Sequence, residues 1–165
     1  MGLCAIIETG GAASVGGVMI HIVPFEADLH KAVLSDIWFR ASMQAHPFIG
    51  EATLREQQPL MEDVYLPMAT TSVAVKDGRI AGFASLLKDH IAALFVDPTA
   101  QGQGIGRELL DHASQEREQL SLEVYLHNPK AVEFYERYGF VIESRREVDD
   151  QGQPFPNARM IWRRP

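Results

Sequence analysis

The feature that most constrains the fold of this chain is a strand, a glycine-rich turn and a helix in direct succession. The run HIAALFVDP predicts a strand closed by its Asp-Pro pair, and Gly102, Gly104 and Gly106 follow at every second position. The apolar residues after the glycines recur at helical spacing and are Ile105, Leu109, Leu110 and Ala113. A strand that turns directly into a helix is typical of α/β domains, in which helices pack against a sheet.

The first third of the chain predicts a strand and two helices. The strand is MIHIVPF, which opens at Met19, and a helical pattern begins at Asp28. The predicted apolar face of this helix consists of Leu29, Val33 and Ile37 beside Leu34 and Trp38. A second helix is predicted within GEATLREQQPLMEDVYL, where Pro59 must end or kink it because proline lacks the backbone N–H.

The rest of the chain predicts a hairpin, a well-specified helix and further strands. Asp77-Gly78, between two β-rich runs, is the preferred pair for a two-residue type I′ turn. Asn128 suits the N-cap of the helix PKAVEFYERY, and Gly139 suits its left-handed end. Strands are predicted at LSLEVYL, FVIESRREV and ARMIWR. We therefore expect one α/β domain with a mixed sheet over 19–165, and we expect residues 1–18, which are small and glycine-rich, to form an extension outside the fold.

Charge and composition restrict the partners of the chain. The net charge of −7, without a basic stripe, weighs against nucleic acid and suits a cationic partner such as an amine. The apolar runs are too short to cross a membrane, and the start of the chain lacks the pattern of a secretory signal. With Cys4 as the single cysteine we expect no intrachain disulfide and a cytoplasmic location. The six histidines are scattered without ligand spacing, so no metal site is predicted.

The glycines themselves predict a phosphate-binding turn. Backbone N–H groups at the start of a helix lack intrahelical partners and attract anions, and glycine lets several of them converge on one phosphate. The P-loop pattern is absent because Arg107 and Glu108 follow Gly106, and the dinucleotide pattern fails because it requires glycine at position 107. A glycine-rich turn that merely precedes a packing helix, or a cradle for another nucleotide phosphate, remains an alternative.

Two blocks of sequence resemble the GNAT superfamily of acetyl-CoA-dependent N-acetyltransferases. Gln101-x-x-Gly104-x-Gly106 resembles its [RQ]-x-x-G-x-[GA] signature, and VYLHNPKAVEFYERYGFVIE is similar to its second block, N-x-x-A-x-x-x-Y-x-x-x-G-F. The match runs from about Ile20 to the C-terminus. Two further segments, EVDDQGQPFPNARMIW and IWFRASMQAHPF, resemble a small YjaB-like bacterial branch. The resemblance implies a mixed, mostly antiparallel sheet that is splayed at the cofactor site and flanked by helices.

The resemblance also implies roles for individual residues. The backbone of Phe95 and Val96 would pair with the pantetheine arm of acetyl-CoA, the Val96 N–H would stabilise the oxyanion, and Tyr135 would protonate the leaving thiolate. The family pattern gives Tyr138 no role. The residues implied to bind the cofactor are Leu94, Phe95, Val96, Gln101, Gly102, Gln103, Gly104, Ile105, Gly106, Arg107, Asn128 and Tyr135. No metal takes part.

The general base and the acceptor remain open from the sequence. Many relatives carry an acid where this chain has Ala92, so His90 and His46 are the substitute bases, and a water chain is the third choice. Trp38, His46 and Phe48 are candidate walls of the acceptor pocket. We expect acetyl transfer to a primary amine by direct attack in a ternary complex, with a small amine or a peptide or protein amine as acceptor. A non-catalytic acyl-CoA-binding and sensing module of the same fold is the alternative, and a homodimer is left open because dimers are common in the family.

Overall fold

The computed structural model describes residues 19–165, and the predicted extension at 1–18 lies outside the described residues. The strands are β1 (Ile20–Pro24), β2 (Thr70–Lys76), β3 (Arg79–Leu87), β4 (His90–Val96), β5 (Gln119–Tyr125), β6 (Val141–Arg146) and β7 (Asn157–Arg163). The helices are α1 (Ala27–Ala45), α2 (Glu51–Leu60), α3 (Leu66–Met68), α4 (Ile105–Ser114) and α5 (Pro129–Tyr138). A π-helical turn (Met61–Tyr65) joins α2 to α3, and a 3₁₀ turn (Pro98–Ala100) follows β4.

The strands form one seven-stranded sheet in the order β1-β2-β3-β4-β5-β7-β6. All neighbours are antiparallel except β4 and β5, which are parallel and pair only at His90 with Ser121 and at Ile91 with Leu122. Beyond these two pairs the strands separate, so the sheet is open along the rest of β4. This confirms the expected mixed, mostly antiparallel and splayed sheet.

Helices cover both faces of the sheet. On one face, called here the α4/α5 face, those two helices bury side chains such as Leu109 and Ala131 against Leu94 and Leu122. On the other, the α1/α2 face, the segment from α1 to α3 packs over β2, β3 and β4, and Leu34 and Ile37 belong to the same buried cluster as Phe83 and Phe95. The alternation of side chains along β4 therefore serves both cores.

The buried face of α1 differs from the prediction. Leu29 and Val33 are 65% and 41% exposed. The buried positions of this helix are His30, Leu34, Ser35, Ile37, Trp38, Ala41 and Ser42. Two apolar stripes one residue apart compete in this sequence, and His30 belongs to the one that is buried because its Nδ1 accepts the Glu26 N–H at 2.9 Å. The buried face of α1 therefore begins at His30, a polar residue whose ring is hydrogen-bonded, and not at Leu29, where the apolar pattern had placed its start.

Local signals elsewhere were reliable. Asp77 and Gly78 have φ angles of 52° and 75°, as a type I′ hairpin requires. The Asn128 Oδ1 accepts the Ala131 N–H at 3.3 Å, which caps α5, and Gly139 ends that helix with a φ of 122°. Pro59 was predicted to end or kink its helix, and α2 ends one residue after it, at Leu60, directly before the π-helical turn. No helix among residues 19–165 combines the length and apolarity of a membrane span.

Candidate active site

A gap between β4 and β5 is the centre of the site. After the pairing of Ile91 with Leu122, no residue of β5 pairs with β4. The β3–β4 ladder shifts register at the same level, passing from Ser85–Ala93 to Leu86–Ile91, which leaves Ala92 as a bulge residue. The backbone edge of Leu94, Phe95 and Val96, which the sequence predicted as a binding edge, therefore borders the gap.

The glycine-rich loop lies at the far end of β4. Gly102 and Gly104 have φ angles of 75° and 84°, which side chains rarely allow. A Cβ at Gly104 would meet no atom within 4 Å, so the loop faces open space there. The first backbone bond of α4 runs from the Glu108 N–H to the Gly104 carbonyl at 3.1 Å. The N–H groups of Ile105, Gly106 and Arg107 precede that bond and have no intrahelical acceptor.

Side chains from three elements hold the loop. Asp97, at the end of β4, receives two hydrogen bonds from the Arg40 guanidinium of α1, at 3.1 and 2.8 Å. The Gln101 amide donates to the Val96 carbonyl at 3.4 Å, and Lys76 of β2 contacts Gln103. A cavity of about 410 Å³ lies between this loop and the β2–β3 hairpin, and Gln103 is one of its lining residues.

The start of α5 contributes a buried amide to the site. While its Oδ1 caps the helix, the Nδ2 of Asn128 is buried and has no hydrogen-bond partner among residues 19–165. An unsatisfied buried donor is costly, so this position suits a ligand carbonyl. The two tyrosines of α5 differ sharply: Tyr135 is fully buried between Phe134 and Phe140. The Tyr138 hydroxyl, by contrast, is held by α4.

The bonds of Tyr138 explain why its hydroxyl is unsuited to proton transfer. It donates to the Asp111 carboxylate at 2.8 Å and lies 3.1 Å from the Ser114 hydroxyl. Burial, assisted by the hydrogen bond to Asp111, raises the pKa of Tyr138 to about 12. The role of Tyr135 as the general acid stays a prediction.

The two histidines proposed as bases lie in different surroundings. His46 is buried at the end of α1, edge-on to Tyr125 with ring centroids 4.7 Å apart, and burial lowers its pKa to about 3. A histidine with that pKa is a weak base at neutral pH. His90 is half-buried at the closed end of the gap, where its Nδ1 lies 2.9 Å from the Ser121 hydroxyl. Burial, with the positive charge of Arg159, lowers the pKa of His90.

Glu123 is a candidate base that the sequence analysis missed. It is one residue beyond the last β4–β5 pair, level with Ala92 across the opening of the gap. Leu122 and Val124 are buried on the α4/α5 face, so strand alternation directs Glu123 towards the α1/α2 face. Its Oε2 accepts a hydrogen bond from Arg146 at 2.8 Å. Burial is the largest cause of a raised pKa at Glu123, Asp150 raises it further, and Arg146 opposes the shift.

A signal for Glu123 exists in the sequence but needs the strand order to be interpreted. In LSLEVYL it is the one charged residue, in a run that is apolar except for Ser121. Its meaning depends on β5 lying beside β4, which no local pattern reveals. Glu123 thus places an acid on β5 at the level of Ala92, the position where the resemblance led us to expect an acid on β4.

The predicted acceptor residues are divided between a core and an aromatic cluster. Trp38 lies in the core of the α1/α2 face. His46 and Phe48 belong to a cluster at the end of β5, which we call the β5 aromatic cluster and which consists of His46, Phe48, Tyr125, His127 and Phe155. This cluster joins the α1–α2 loop to the β6–β7 loop. Within residues 19–165 no group of three or more metal-ligating side chains comes together.

Comparison with known proteins places this site in a family. A family model described as an acetyltransferase (GNAT) domain matches residues 41–161. The peptidyl-lysine N-acetyltransferase YjaB of Salmonella typhimurium (strain LT2) is 40% identical over 127 residues, which cover 76% of this chain and 87% of that protein. The peptidyl-lysine N-acetyltransferase YiaC of Escherichia coli (strain K12) is 38% identical over 128 residues, covering 77% and 86%.

The fold agrees with a solved structure of the same branch. The solution structure of apo-form YjaB from Escherichia coli superimposes with a TM-score of 0.79 at 34% identity, over 87% of this chain and 97% of that one. The range matched by the family model, residues 41–161, includes the β4–loop–α4 unit and the α5 block that carry the resemblance in sequence. The chain therefore belongs to the GNAT family of acetyltransferases, within its YjaB-like branch.

Proposed function

We propose that this protein transfers the acetyl group of acetyl-CoA to the ε-amino group of a lysine in a peptide or protein. The observation that carries the proposal is the gap between β4 and β5, with an anion-binding loop at one end and the carboxylate of Glu123 at the other. The lysine acceptor is supported by relatives at 38–40% identity that are named peptidyl-lysine N-acetyltransferases. The acidic net charge of −7 also suits a cationic acceptor.

The residues present fit acetyl-CoA, which supplies a thioester-activated acetyl group. The loop from Gln101 to Arg107 would hold the diphosphate through N–H groups at the start of α4. The free edge of β4 would pair with the amides of the pantetheine arm, as an added strand does. The buried and unsatisfied Asn128 Nδ2 would donate to a carbonyl of the same arm. Together these contacts would position the thioester near Ala92.

Three groups would then act on the reacting atoms. A backbone N–H on the free edge of β4 near Ala92 would donate to the developing oxyanion, because Val96, the donor that the resemblance implied, lies four residues nearer the glycine-rich loop, about 13 Å along the strand. The Tyr135 hydroxyl would donate a proton to the departing thiolate. The pKa of a phenol, about 10, is close enough to that of a thiol, about 8.5, for this transfer to take place. Glu123 would accept the proton of the lysine ammonium, either directly or through water. The raised pKa of Glu123 strengthens it as a base relative to an exposed carboxylate.

Direct attack in a ternary complex follows from the side chains at the gap. The one cysteine of the chain is Cys4, outside the described residues, and we assign no covalent acetyl carrier to the site. The Ala92 position had favoured a non-catalytic module, because it lacks the acid found in many relatives. Glu123, placed level with it across the gap, removes that argument.

Acetylation of a lysine-containing peptide, followed by free-thiol release and mass spectrometry, tests the proposal. Glu123→Gln should lower kcat by roughly 10²-fold or more at neutral pH, on the usual scale of a general base. The KM for acetyl-CoA should change little, because Glu123 lies at the acyl end of the gap. His90→Gln is the matched control, since it changes the other titratable group on the same face.

Each outcome assigns or removes a role. A wild-type kcat in Glu123→Gln with a large loss in His90→Gln would transfer the base to His90. Activity with small amines and none with lysine peptides would refute the acceptor class. Ping-pong kinetics with a trapped acetyl-enzyme would refute direct attack.

A further inference from the structure

A small apolar cavity lies on the α1/α2 face beside the bulge of β4. Its volume is about 20 Å³, and its lining includes Met61, Tyr65, Met68, Ser85, Ala92 and Ala93. The π-helical turn and α3 form its roof, and β3 and β4 form its floor. The two alanines of β4 line this space with no more than a methyl group each.

The cavity adjoins the place where an acyl group would lie. Ala92 follows the last residue of β4 that pairs with β5, so its backbone borders the opening of the gap. Neighbouring strands are about 4.8 Å apart, which is about the distance from an inserted pantetheine arm to β4. An acyl chain that extends from the thioester towards the α1/α2 face would therefore pass over Ala92 into the cavity.

The lining selects an alkyl group. The Ser85 hydroxyl already shares a buried hydrogen bond of 2.7 Å with Thr71, so it offers little to a ligand. The remaining floor is methyl groups and ring edges, and Met61 and Met68 contribute flexible apolar side chains that adapt to the shape of a ligand. A lysine ammonium would lose its hydration here without gaining a partner.

The size of the cavity sets the length of the alkyl group. About 10–15 Å³ holds one water-sized group, so the cavity of about 20 Å³ takes about one carbon beyond the acetyl methyl. We propose that this cavity is an acyl-binding pocket and that the enzyme uses propionyl-CoA at least as well as acetyl-CoA. The inference rests on the proposed function, because the position of the thioester follows from it.

The reaction with the longer donor keeps the same balance. The lysine nitrogen forms a bond to the propionyl carbonyl carbon, and the carbon–sulfur bond breaks. Glu123 takes one proton from the ammonium and later releases it to solvent. Tyr135 gives its proton to the leaving thiolate, and the second proton lost by the nitrogen as the amide forms restores the Tyr135 hydroxyl. The products are propionyl-lysine and free CoA, and no oxidant or reductant is required.

The test compares acetyl-CoA, propionyl-CoA and butyryl-CoA at a fixed lysine peptide. Burial of one methylene group is worth about 0.8 kcal/mol, which is about four-fold in affinity. We expect kcat/KM to be about four-fold higher with propionyl-CoA than with acetyl-CoA, and lower again with butyryl-CoA because the fourth carbon overfills the cavity. A kcat/KM for propionyl-CoA below that for acetyl-CoA would overturn the inference.

Two variants localise the effect to the cavity. Ala69→Leu adds carbons to a half-buried lining residue outside the sheet, and we expect the propionyl-to-acetyl ratio to fall by about four-fold. Met68→Ala shortens a mostly exposed lining residue and should raise the butyryl-to-acetyl ratio. A thermal unfolding midpoint for each variant shows whether it is folded. If Ala69→Leu raises the KM for the peptide and leaves the donor ratio unchanged, the cavity serves the acceptor and the inference is wrong.

Direct binding separates this inference from the proposed function. Dissociation constants for acetyl-CoA and propionyl-CoA, measured by calorimetry without acceptor, report on the cavity even if no peptide is acetylated. Tighter propionyl-CoA binding without turnover would support the pocket and count against the enzyme activity. Turnover of lysine peptides together with weaker binding of propionyl-CoA than of acetyl-CoA would support the enzyme activity and refute the acyl-binding pocket.

Discussion

The ion pair between α1 and the start of the glycine-rich loop should carry a measurable share of the stability. Asp97 accepts two hydrogen bonds from Arg40, and its Oδ1 also accepts the backbone N–H and the hydroxyl of Thr99, at 2.9 and 2.8 Å. These donors, Arg40 first among them, lower the pKa of Asp97 from 3.8 to about 2. Asp97→Asn removes the charge and keeps the shape.

The size of the effect follows from the pKa. A fall from 3.8 to about 2 corresponds to about 2.5 kcal/mol, at 1.36 kcal/mol for each pKa unit. The Asp97 side chain is 15% exposed but that of Arg40 is 38% exposed, so solvent screening reduces this. We expect Asp97→Asn to lose about 1–2 kcal/mol of unfolding free energy at pH 7. That corresponds to a midpoint about 3–6 °C lower for a domain of this size.

The loss should depend on pH with a definite sign. Because Asp97 has a lower pKa in the folded than in the unfolded chain, it stabilises the fold above pH 3.8 and loses this contribution as the pH falls through about 2. Thermal unfolding of both proteins at a series of pH values is the assay. The midpoint difference should be constant from about pH 7 to pH 5 and should shrink below about pH 4.

A second carboxylate on the same arginine supplies the control. Asp36 also accepts a hydrogen bond from Arg40, at 2.8 Å, but its side chain is 60% exposed. Asp36→Asn should cost no more than about 0.5 kcal/mol, the usual value for a helical i,i+4 pair. Equal losses in the two variants, or a loss in Asp97→Asn that persists undiminished at low pH, would refute the reasoning.

Two further substitutions test the site and its scaffold. Tyr135→Phe should lower kcat by roughly 10²-fold or more in the peptide acetylation assay. Tyr138→Phe should leave kcat within a few-fold of the wild-type value, because the Tyr138 hydroxyl is hydrogen-bonded to α4. Similar losses of kcat in both variants would remove the general-acid assignment. Gly82→Ala should lower the thermal unfolding midpoint by about 3–9 °C, an overpacking cost of about 1–3 kcal/mol, because its Cβ would lie 2.6 Å from the Phe95 carbonyl oxygen. An unchanged midpoint would show that β4 can move away from β3 without cost.

Local chemistry explains which parts of the fold were predictable. Asp77 and Gly78 specify their turn through the φ angles that they tolerate, and Asn128 and Gly139 specify the ends of α5 through single hydrogen bonds and backbone conformations. The backbone of the glycine-rich loop was predictable for the same reason, because Gly102 and Gly104 adopt the positive φ angles that glycine tolerates. Such signals need no knowledge of distant residues.

Features that depend on distant neighbours were not predictable. Glu123 is a candidate base because it lies where β5 separates from β4. These two strands are separated in the chain by α4, so their pairing cannot be read from a local pattern. The surroundings of His46 depend on Tyr125, a residue of β5 that is distant in sequence and packs edge-on against it, and burial lowers the pKa of His46 to about 3. The choice between two stripes on α1 likewise depended on which side of the helix faced the sheet.

The opening between β4 and β5 has a consequence for how long the protein survives. The sheet is joined across its middle by two residue pairs, so the half that carries the glycine-rich loop and the half that carries α5 share few backbone bonds. An acyl donor that lies in the opening, as proposed above, would supply the missing bonds, and at about 100-fold over its dissociation constant it would add about 2.7 kcal/mol to the unfolding free energy. Because proteolysis through transient opening follows this free energy, we expect the protein with bound donor to be cleaved more slowly than the free protein.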